Sequence, residues 1–459
     1  MKFFILFLLP LQSLSQQASI LFKNVNVVDV QKGKVIPNQN VFVEGNRIKK
    51  ISSKSIAVNG AMVVNGSGKY LIPGLCDFNA SVLHCENEGV PAFKLMLANG
   101  VTSVRDLLPP NSPEEAFEIK KQIAAGKILA PRLFLSGKTL VDRKRTGGFE
   151  KGYAFVKTAD EATAIVDSLI NEGADVIDAR NIRSDTILKA ITKRAHQKGR
   201  KVMERMGGNW MKASNSGLDA FTHLSDLWRN TTTGRQKIFQ NFEGDSIVST
   251  QDFYNRVLPS LGGVDTNYFQ ALMHTLTLNN TWLCTGTTSY FQSIRRFEHG
   301  DTLRNVYRNK WQKDVLADDL KTQSTLTSEI VNSEKPDMSQ LYMAHKAHIP
   351  IIAGTQLSGL LTSGMSLHDM LFWLVDGGLT PAEALRTATI NPALFLNNQK
   401  NIGTIEAGKL ADLVLLDANP LTDINNSRKI NAVVANGKLL TRNDLDELLK
   451  QSKEQVLNK

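Results

Sequence analysis

Cysteine is scarce in this sequence: Cys76, Cys85 and Cys284 are an odd three spread over 459 positions, which excludes a disulfide framework. Long apolar runs are missing as well. Beyond the first ten residues no segment is apolar enough for a membrane helix, so no transmembrane anchor is expected. There is no internal repeat at a fixed period, no low-complexity tract and no long linker, which argues against a repeat array or a disordered chain. Charge of one sign is in surplus but is not gathered. Lys and Arg exceed Asp and Glu by 10, yet they are scattered, with small clusters only at Arg143-Lys144-Arg145 and Arg200-Lys201. A nucleic-acid binder wants that charge in a stripe beside aromatics, so no nucleic-acid partner is expected. Attraction to anionic ligands or membrane surfaces stays open.

What is present is the material for a large core. Hydrophobic residues make up 42% and charged residues 21%, close to the globular average, and the length allows one large barrel with an accessory domain. The first residues read as an address. Lys2 precedes the apolar run from Phe3 to Leu9, then Pro10 and a polar stretch with Ser13 and Ser15 at the small-residue positions of a cleavage site. This is the pattern of a secretory signal peptide, with cleavage expected near Ser15–Gln16 and export, periplasmic or secreted, as its consequence.

Residues 16–68 are short and β-rich: Ile20-Leu21-Phe22, Val25 to Val30 and Val41-Phe42-Val43 are separated by turn signals such as Gln31-Lys32-Gly33. From residue 69 to 398 strand-like runs alternate with helix-period segments such as 159–172 and 184–198. Seven or eight such alternations over roughly 300 residues predict a (β/α)8 TIM barrel of α/β class. Residues 399–442 return to short strands that complete a small β-sandwich domain with the N-terminal ones, and 443–459 read as a charged terminal helix.

Four stretches carry a family resemblance. Tyr70-Leu71-Ile72-Pro73-Gly74-Leu75-Cys76-Asp77 resembles the approach to the first barrel strand of amidohydrolases, and Gly100-Val101-Thr102-Ser103-Val104-Arg105-Asp106-Leu107 their second strand. Gly378-Leu379-Thr380-Pro381-Ala382-Glu383-Ala384-Leu385, with Ala388-Thr389-Ile390-Asn391-Pro392-Ala393, resembles their last barrel helix; residues 402–413 resemble the return to the β domain. In that order they identify the chain as similar to the amidohydrolase superfamily, closest to the imidazolonepropionase- and prolidase-like branch.

The resemblance implies hydrolysis of carbon–nitrogen bonds other than peptide bonds. In that family two His in a His-x-His pair, an often carbamylated Lys, two more His and an Asp hold one or two divalent metals, usually zinc. The metal brings a bound water to a pKa of about 7 and the Asp takes its proton. Here the His-x-His positions hold Asn79 and Ser81, the Lys position holds Asp178, the third His position Arg205, and the Asp position Gln356; only His223 matches. Neutral amides and hydroxyls are weak metal donors, and Arg offers no lone pair. No metal or other cofactor is therefore expected. Asp178 and Arg205, on neighbouring strands, are expected to form a bidentate ion pair, with Asn79, Ser81 and Gln356 completing its hydrogen bonding.

Other candidates are weighed against plainer roles. His223 suits a catalytic base but also a hydrogen-bonded core histidine, and Cys284 suits a nucleophile paired with it but also a small buried hydrophobe. His84-Cys85-Glu86 lacks partners at ligand spacing, and His196, His345 and His348 read as structural. Residues 228–264 and 291–326 are longer than barrel connections need, with Tyr290, Arg295 and Arg296 as contacts for a ligand at the barrel mouth. Two functions remain: a binding protein or pseudoenzyme without metal catalysis, as a homo-oligomer or paired with an active relative, or an active hydrolase of cyclic amides or small dipeptides with a metal-free or displaced site.

Overall fold

Apolar, β-branched runs from both ends of the chain meet in one mixed sheet. The N-terminal side supplies β1 (Ile20–Asp29), β2 (Lys34–Glu44), β3 (Arg47–Ser52), β4 (Met62–Asn65) and β5 (Tyr70–Pro73). The barrel follows with β6 (Leu75–Ala80), β7 (Val101–Asp106), β8 (Arg132–Leu135), β9 (Thr139–Val141), β10 (Tyr153–Phe155), β11 (Val176–Arg180), β12 (Lys201–Arg205), β13 (Ala220–Thr222), β14 (Trp282–Cys284) and β15 (Ile351–Ile352). The C-terminal side returns to the mixed sheet with β16 (Leu413–Leu416), β17 (Ile430–Ala435) and β18 (Lys438–Leu440). The computed structural model describes residues 19–83, 89–106, 113–143, 152–205, 208–236, 262–286, 302–308, 310, 313, 314, 317, 336–355 and 362–457. The side chains of 89–91, 205, 225, 302, 303, 336, 337 and 457 are outside that description.

The mixed sheet runs β18-β17-β16-β5-β1-β2-β3, with β4 beside β1. Ile20, Phe22, Val27, Val41, Val43, Leu413 and Val434 turn into a shared core, the apolar-in pattern of a half-buried sheet. At its edge Ile48 N–H donates to the Lys409 carbonyl (2.9 Å), and Gly408 N–H to that of Ile48 (2.7 Å). The sheet is thereby bridged back on itself at Ile48, which covers the first part of the β3 edge.

The barrel strands pair in parallel as β6-β7-β8 and β10-β9-β11-β12-β13-β14-β15. Two backbone bonds join the runs: Phe78 N–H to the Ala353 carbonyl (3.0 Å) and Asp175 N–H to the Leu135 carbonyl (2.7 Å). The connecting helices start and stop where their sequences say. Thr158 caps the helix Ala159–Glu172 by accepting from the Glu161 N–H, and Gly173 ends it at φ 114°. Ser184 caps Asp185–Gln197 in the same way, and Thr380 with Glu383 forms a full capping box before Pro381–Thr387.

At the N-terminal end of the barrel the helix Ile390–Phe395 supplies a plug. The Phe395 ring lies edge-on to Phe78 (5.5 Å between centroids) and Trp282 (5.6 Å). Val176, Met203, Ala220 and Cys284 share that interior cluster. The floor is packed with apolar side chains, so any chemistry belongs to the other end, where the strand C-termini and β–α loops meet. The last helix, Arg442–Leu457, docks on Gly89–Ala98 with Leu445 and Leu448 buried. Among the described residues no helix is long and apolar enough to cross a membrane.

Candidate functional site

Above the apolar floor the barrel interior becomes charged. Arg105 on β7 and Asp178 on β11 are both fully buried, and Arg105 Nη2 donates to Asp178 Oδ1 at 3.2 Å and to Ser136 Oγ at 3.1 Å. The Thr139 hydroxyl donates to Asp178 Oδ2 at 2.7 Å. The guanidinium carbon lies 5.9 Å from the centroid of the Phe78 ring, so the cation rests on the upper face of the apolar floor. A buried pair of this kind is costly to break, about 3–5 kcal/mol when one partner is removed, because the other charge is left without its counter-charge.

On β6, Asp77 ties the first strand to the last. Thr355 donates to it twice, N–H to Oδ1 (3.0 Å) and Oγ to Oδ2 (2.5 Å), and burial raises the Asp77 carboxyl above its ordinary range against the pull of those bonds. Asn79 follows on the same strand and Ser81 just past its end, both buried. Among the described residues neither amide atom of Asn79 nor the Ser81 hydroxyl finds a hydrogen-bond partner.

Two glycines let the neighbouring strands close on Asn79. A Cβ built on Gly354 would lie 2.5 Å from that of Asn79, and one on Gly286 would lie 2.8 Å from its Nδ2 and 3.0 Å from the His223 backbone nitrogen. The ends of β6, β13, β14 and β15 thus converge on one place. His223 itself sits at φ 75°, a region side chains other than glycine rarely occupy, and it is buried. Strain of this sort, worth about 1–3 kcal/mol, collects at functional sites.

Two further groups shape the electrostatics. Burial pushes the Cys284 thiol up to about 12, against the field of Arg105, so the thiolate is essentially absent at neutral pH. On the helix-facing side of β12, burial pushes Glu204 up to about 8, with Asp226 and Asp142 adding to the rise and the Ile182 and Asn181 backbone N–H groups opposing it. Among the described residues its Oε2 has no hydrogen-bond partner, so nothing there stabilises a charge on that oxygen. Among the described residues no group of three or more His, Cys, Asp and Glu side chains is placed to hold a metal ion.

Comparison with known proteins agrees with this architecture. The sequence pattern described as "Amidohydrolase family" matches residues 287–440. Imidazolonepropionase from Geobacillus sp. (strain WCH70) is 43% identical over 68 residues, 14% of this chain and 16% of that protein. Ochratoxinase from Aspergillus niger is 35% identical over 82 residues, 18% of this chain and 16% of its own length. These matches therefore span only about a sixth of each curated relative. In three dimensions the likeness is nearly complete: a prolidase solved with N-methylphosphonate-L-proline overlays with a TM-score of 0.67 at 19% identity, covering 93% of this chain and 100% of that one. The crystal structure of A. niger ochratoxinase overlays at 0.62 and 18% identity, covering 92% and 96%. Residues 287–440 thus carry the amidohydrolase family pattern, on a fold shared with solved amidohydrolases.

Within this barrel the site residues expected from sequence fall as follows. Asn79, Ser81 and His223 stand at the C-terminal ends of their strands, Asp178 on the inner face of β11 and Cys284 at the end of β14. Gln356, the trio His84-Cys85-Glu86, Tyr290, Arg295 and Arg296 lie outside the described residues, and so does most of 228–264 and 291–326. The hydrogen-bonding expectation needs correction. The described partners of Asp178 are Arg105 and Thr139 rather than Asn79 or Ser81, and the contact with Arg105 runs through one guanidinium nitrogen. Register gives the reason for looking beyond position 205. Asp178 stands opposite Met203, and Arg205 opposite Arg180, two residues nearer the barrel mouth along the strands. The Arg205 side chain lies outside the described residues, so its pairing with Asp178 stays an expectation. Arg105, Ser136, Thr139 and Glu204 were not singled out in sequence. A charged residue inside a barrel strand, Arg105 in Val101–Asp106 and Glu204 in Lys201–Arg205, is the signal that marks two of them. His196 and His345 lie away from the mouth, hydrogen-bonded to Asp219 (2.7 Å) and Glu383 (3.2 Å).

Proposed function

We propose that this chain is a metal-independent member of its superfamily, a binding protein or pseudoenzyme that takes a small molecule at the barrel mouth. The observation that carries this reading is the fully buried Arg105–Asp178 contact at 3.2 Å. A fixed guanidinium in the barrel interior repels a divalent cation in the same low-dielectric space and already answers the charge of Asp178. The donor set points the same way. Asn79 and Ser81 offer neutral oxygens, the Asp178 oxygens are taken up by Arg105 and Thr139, and Cys284 is a thiol at neutral pH. These residues do not fit the metal that the fold family would bring.

The test is metal content of the purified protein by mass spectrometry, with a turnover screen on cyclic amides and small dipeptides before and after chelation. The expected result is well under one equivalent of metal and no turnover. One or two equivalents of zinc, with turnover lost on chelation, overturns the proposal. A second reading, a hydrolase acting on carbon–nitrogen bonds through a metal-free or displaced site, is favoured by the imidazolonepropionase, ochratoxinase and prolidase relatives. Turnover that survives chelation but vanishes in His223→Ala or Cys284→Ala would select it. Export is a separate part of the proposal and rests on the Lys2, Phe3–Leu9, Ser13 and Ser15 pattern. A secreted or periplasmic product whose N-terminus reads from Gln16 supports it, and a cell-retained chain still beginning at Met1 refutes it.

A further inference from the structure

Three buried residues at the barrel mouth, Arg105, Asn79 and Ser81, hold polar atoms without partners among the described residues, and in these three most are donors. Arg105 is fully buried and uses only Nη2; its Nε and Nη1, which carry three N–H bonds between them, have no partner among the described residues. The Asn79 amide adds two donors and the Ser81 hydroxyl one, while these three residues offer acceptors at Asn79 Oδ1 and the hydroxyl oxygen. These groups share one region. Asp77 stands opposite Val104 and Ala80 opposite Asp106, so Asn79 and Arg105 lie level on neighbouring strands, with Ser81 just beyond. The field of Arg105 reaches Cys284 at the end of β14, and the Asn79 Nδ2 lies beside Gly286, two residues on.

The surrounding acids do not use these donors. Asp178 is already met by Arg105 Nη2 and Thr139, and Asp77 by Thr355 and the Asn79 N–H. Burying a guanidinium with two of its three nitrogens unmatched is expensive, and so is burying an unmatched amide. An ionised carboxylate consumes donors, offers none, carries the charge opposite to Arg105 and matches the planar edge of its guanidinium.

We infer that the barrel mouth binds a carboxylate-bearing small molecule, held by Arg105 Nε and Nη1 with Asn79 and Ser81. The inference rests on the metal-independent reading of the same site and names its ligand class. Arg105 keeps Nη2 on Asp178 and turns its remaining nitrogens to the ligand, so the protein's own carboxylate aims the cation. Asn79 Nδ2 and the Ser81 hydroxyl supply the orienting hydrogen bonds, with Gly286 and Gly354 keeping side chains away from the approach to Asn79.

The experiment is isothermal titration calorimetry on the EDTA-treated, metal-analysed full chain, with acetate, propionate and benzoate, each against its primary amide. At least one carboxylate is expected to bind at least about tenfold more tightly than its amide, the difference one charge-assisted contact supplies. Asn79→Ala and Ser81→Ala should each weaken it several-fold, and Arg105→Lys, which keeps the charge but loses the planar fork, should remove the preference. Should Arg105→Lys fail to fold, the Asn79 and Ser81 variants still decide. A metal-free protein in which no carboxylate outcompetes its amide, or in which both alanine variants bind as the wild type does, overturns this inference alone. Stoichiometric metal before chelation, with carboxylate binding lost once it is removed, overturns the metal-independent reading and this inference with it.

Discussion

If Arg105 and Asp178 are a working ion pair, removing both charges should cost scarcely more than removing one. Arg105→Met takes the guanidinium from a carboxylate of zero exposure, and Asp178→Asn takes the carboxylate from a guanidinium of zero exposure. Each single change should destabilise by about 3–5 kcal/mol, most of it the penalty for the charge left behind. Were the two sites independent, the double variant would lose about 6–10 kcal/mol, comparable to the whole stability of many folded proteins. With the pair intact in the wild type, the double variant leaves neither charge uncompensated. Its loss should stay near that of one single variant, giving a coupling of about 3 kcal/mol, the upper end for residues in contact. Methionine fills the volume of the arginine stem beside Phe78, so the comparison isolates charge rather than a cavity. Urea titration followed by tryptophan fluorescence suits the measurement, since Trp282 lies in the barrel floor below the pair. Losses that add to within about 0.5 kcal/mol would refute the pairing. The metal-independent reading would then lose the observation that carries it.

Three further outcomes follow from the same geometry. Glu204, at about 8 in the fold against an ordinary 4.5, binds its proton more tightly folded than unfolded, so the stability it contributes is present at low pH and lost as pH rises through about 8. His368, lowered by burial to about 3 from 6.5, has the opposite sign and costs stability as pH falls below 6.5. Between pH 6.5 and 8 only the Glu204 slope remains of the two, about 1.4 kcal/mol per pH unit, and Glu204→Gln should flatten it; equal slopes in wild type and variant would show the proton is held elsewhere. Phe395→Ala removes the plug between Phe78 and Trp282 and should cost about 3–5 kcal/mol in chemical denaturation; a loss below about 1 kcal/mol would mean the floor collapses freely. Gly354→Ala drives a methyl group to 2.5 Å from the Asn79 Cβ and should destabilise by about 1–3 kcal/mol, with Asn79 displaced in a crystal structure; a neutral effect would show that β6 and β15 can separate.

The fold was legible because its signals are local and ordered. Pro73-Gly74 before the first barrel strand, alternating strand and helix periods, and the Thr380-Pro381 start of a capped helix each depend on a few adjacent residues. The small sheet could be inferred from both ends because β1, β2, β16 and β17 each contain a short apolar run with turn residues nearby. The positions of Asn79, Ser81, Asp178 and His223 followed from the same strand motifs. Their interactions did not. Hydrogen-bonding partners in a barrel are set by the stagger of strands far apart in sequence, and no local pattern encodes that stagger.

Arg105 shows what kind of inference was needed. A cation had to answer Asp178, and the nearest candidate along the chain was Arg205 on the adjoining strand. In a parallel pair the register decides which residues share a layer, and here it places Met203, not Arg205, beside Asp178. The described counter-charge comes from β7, which is not hydrogen-bonded to β11, with Thr139 of β9 completing the contact. Inward-facing residues of a closed barrel meet across the interior, in layers drawn from alternate strands. For a charge buried in a barrel strand, the partner is therefore sought among the charged residues of every strand at the same height. Applied to this sequence, that rule brings forward the lone arginine of Val101–Asp106, a residue that the family's metal scheme gives no reason to notice.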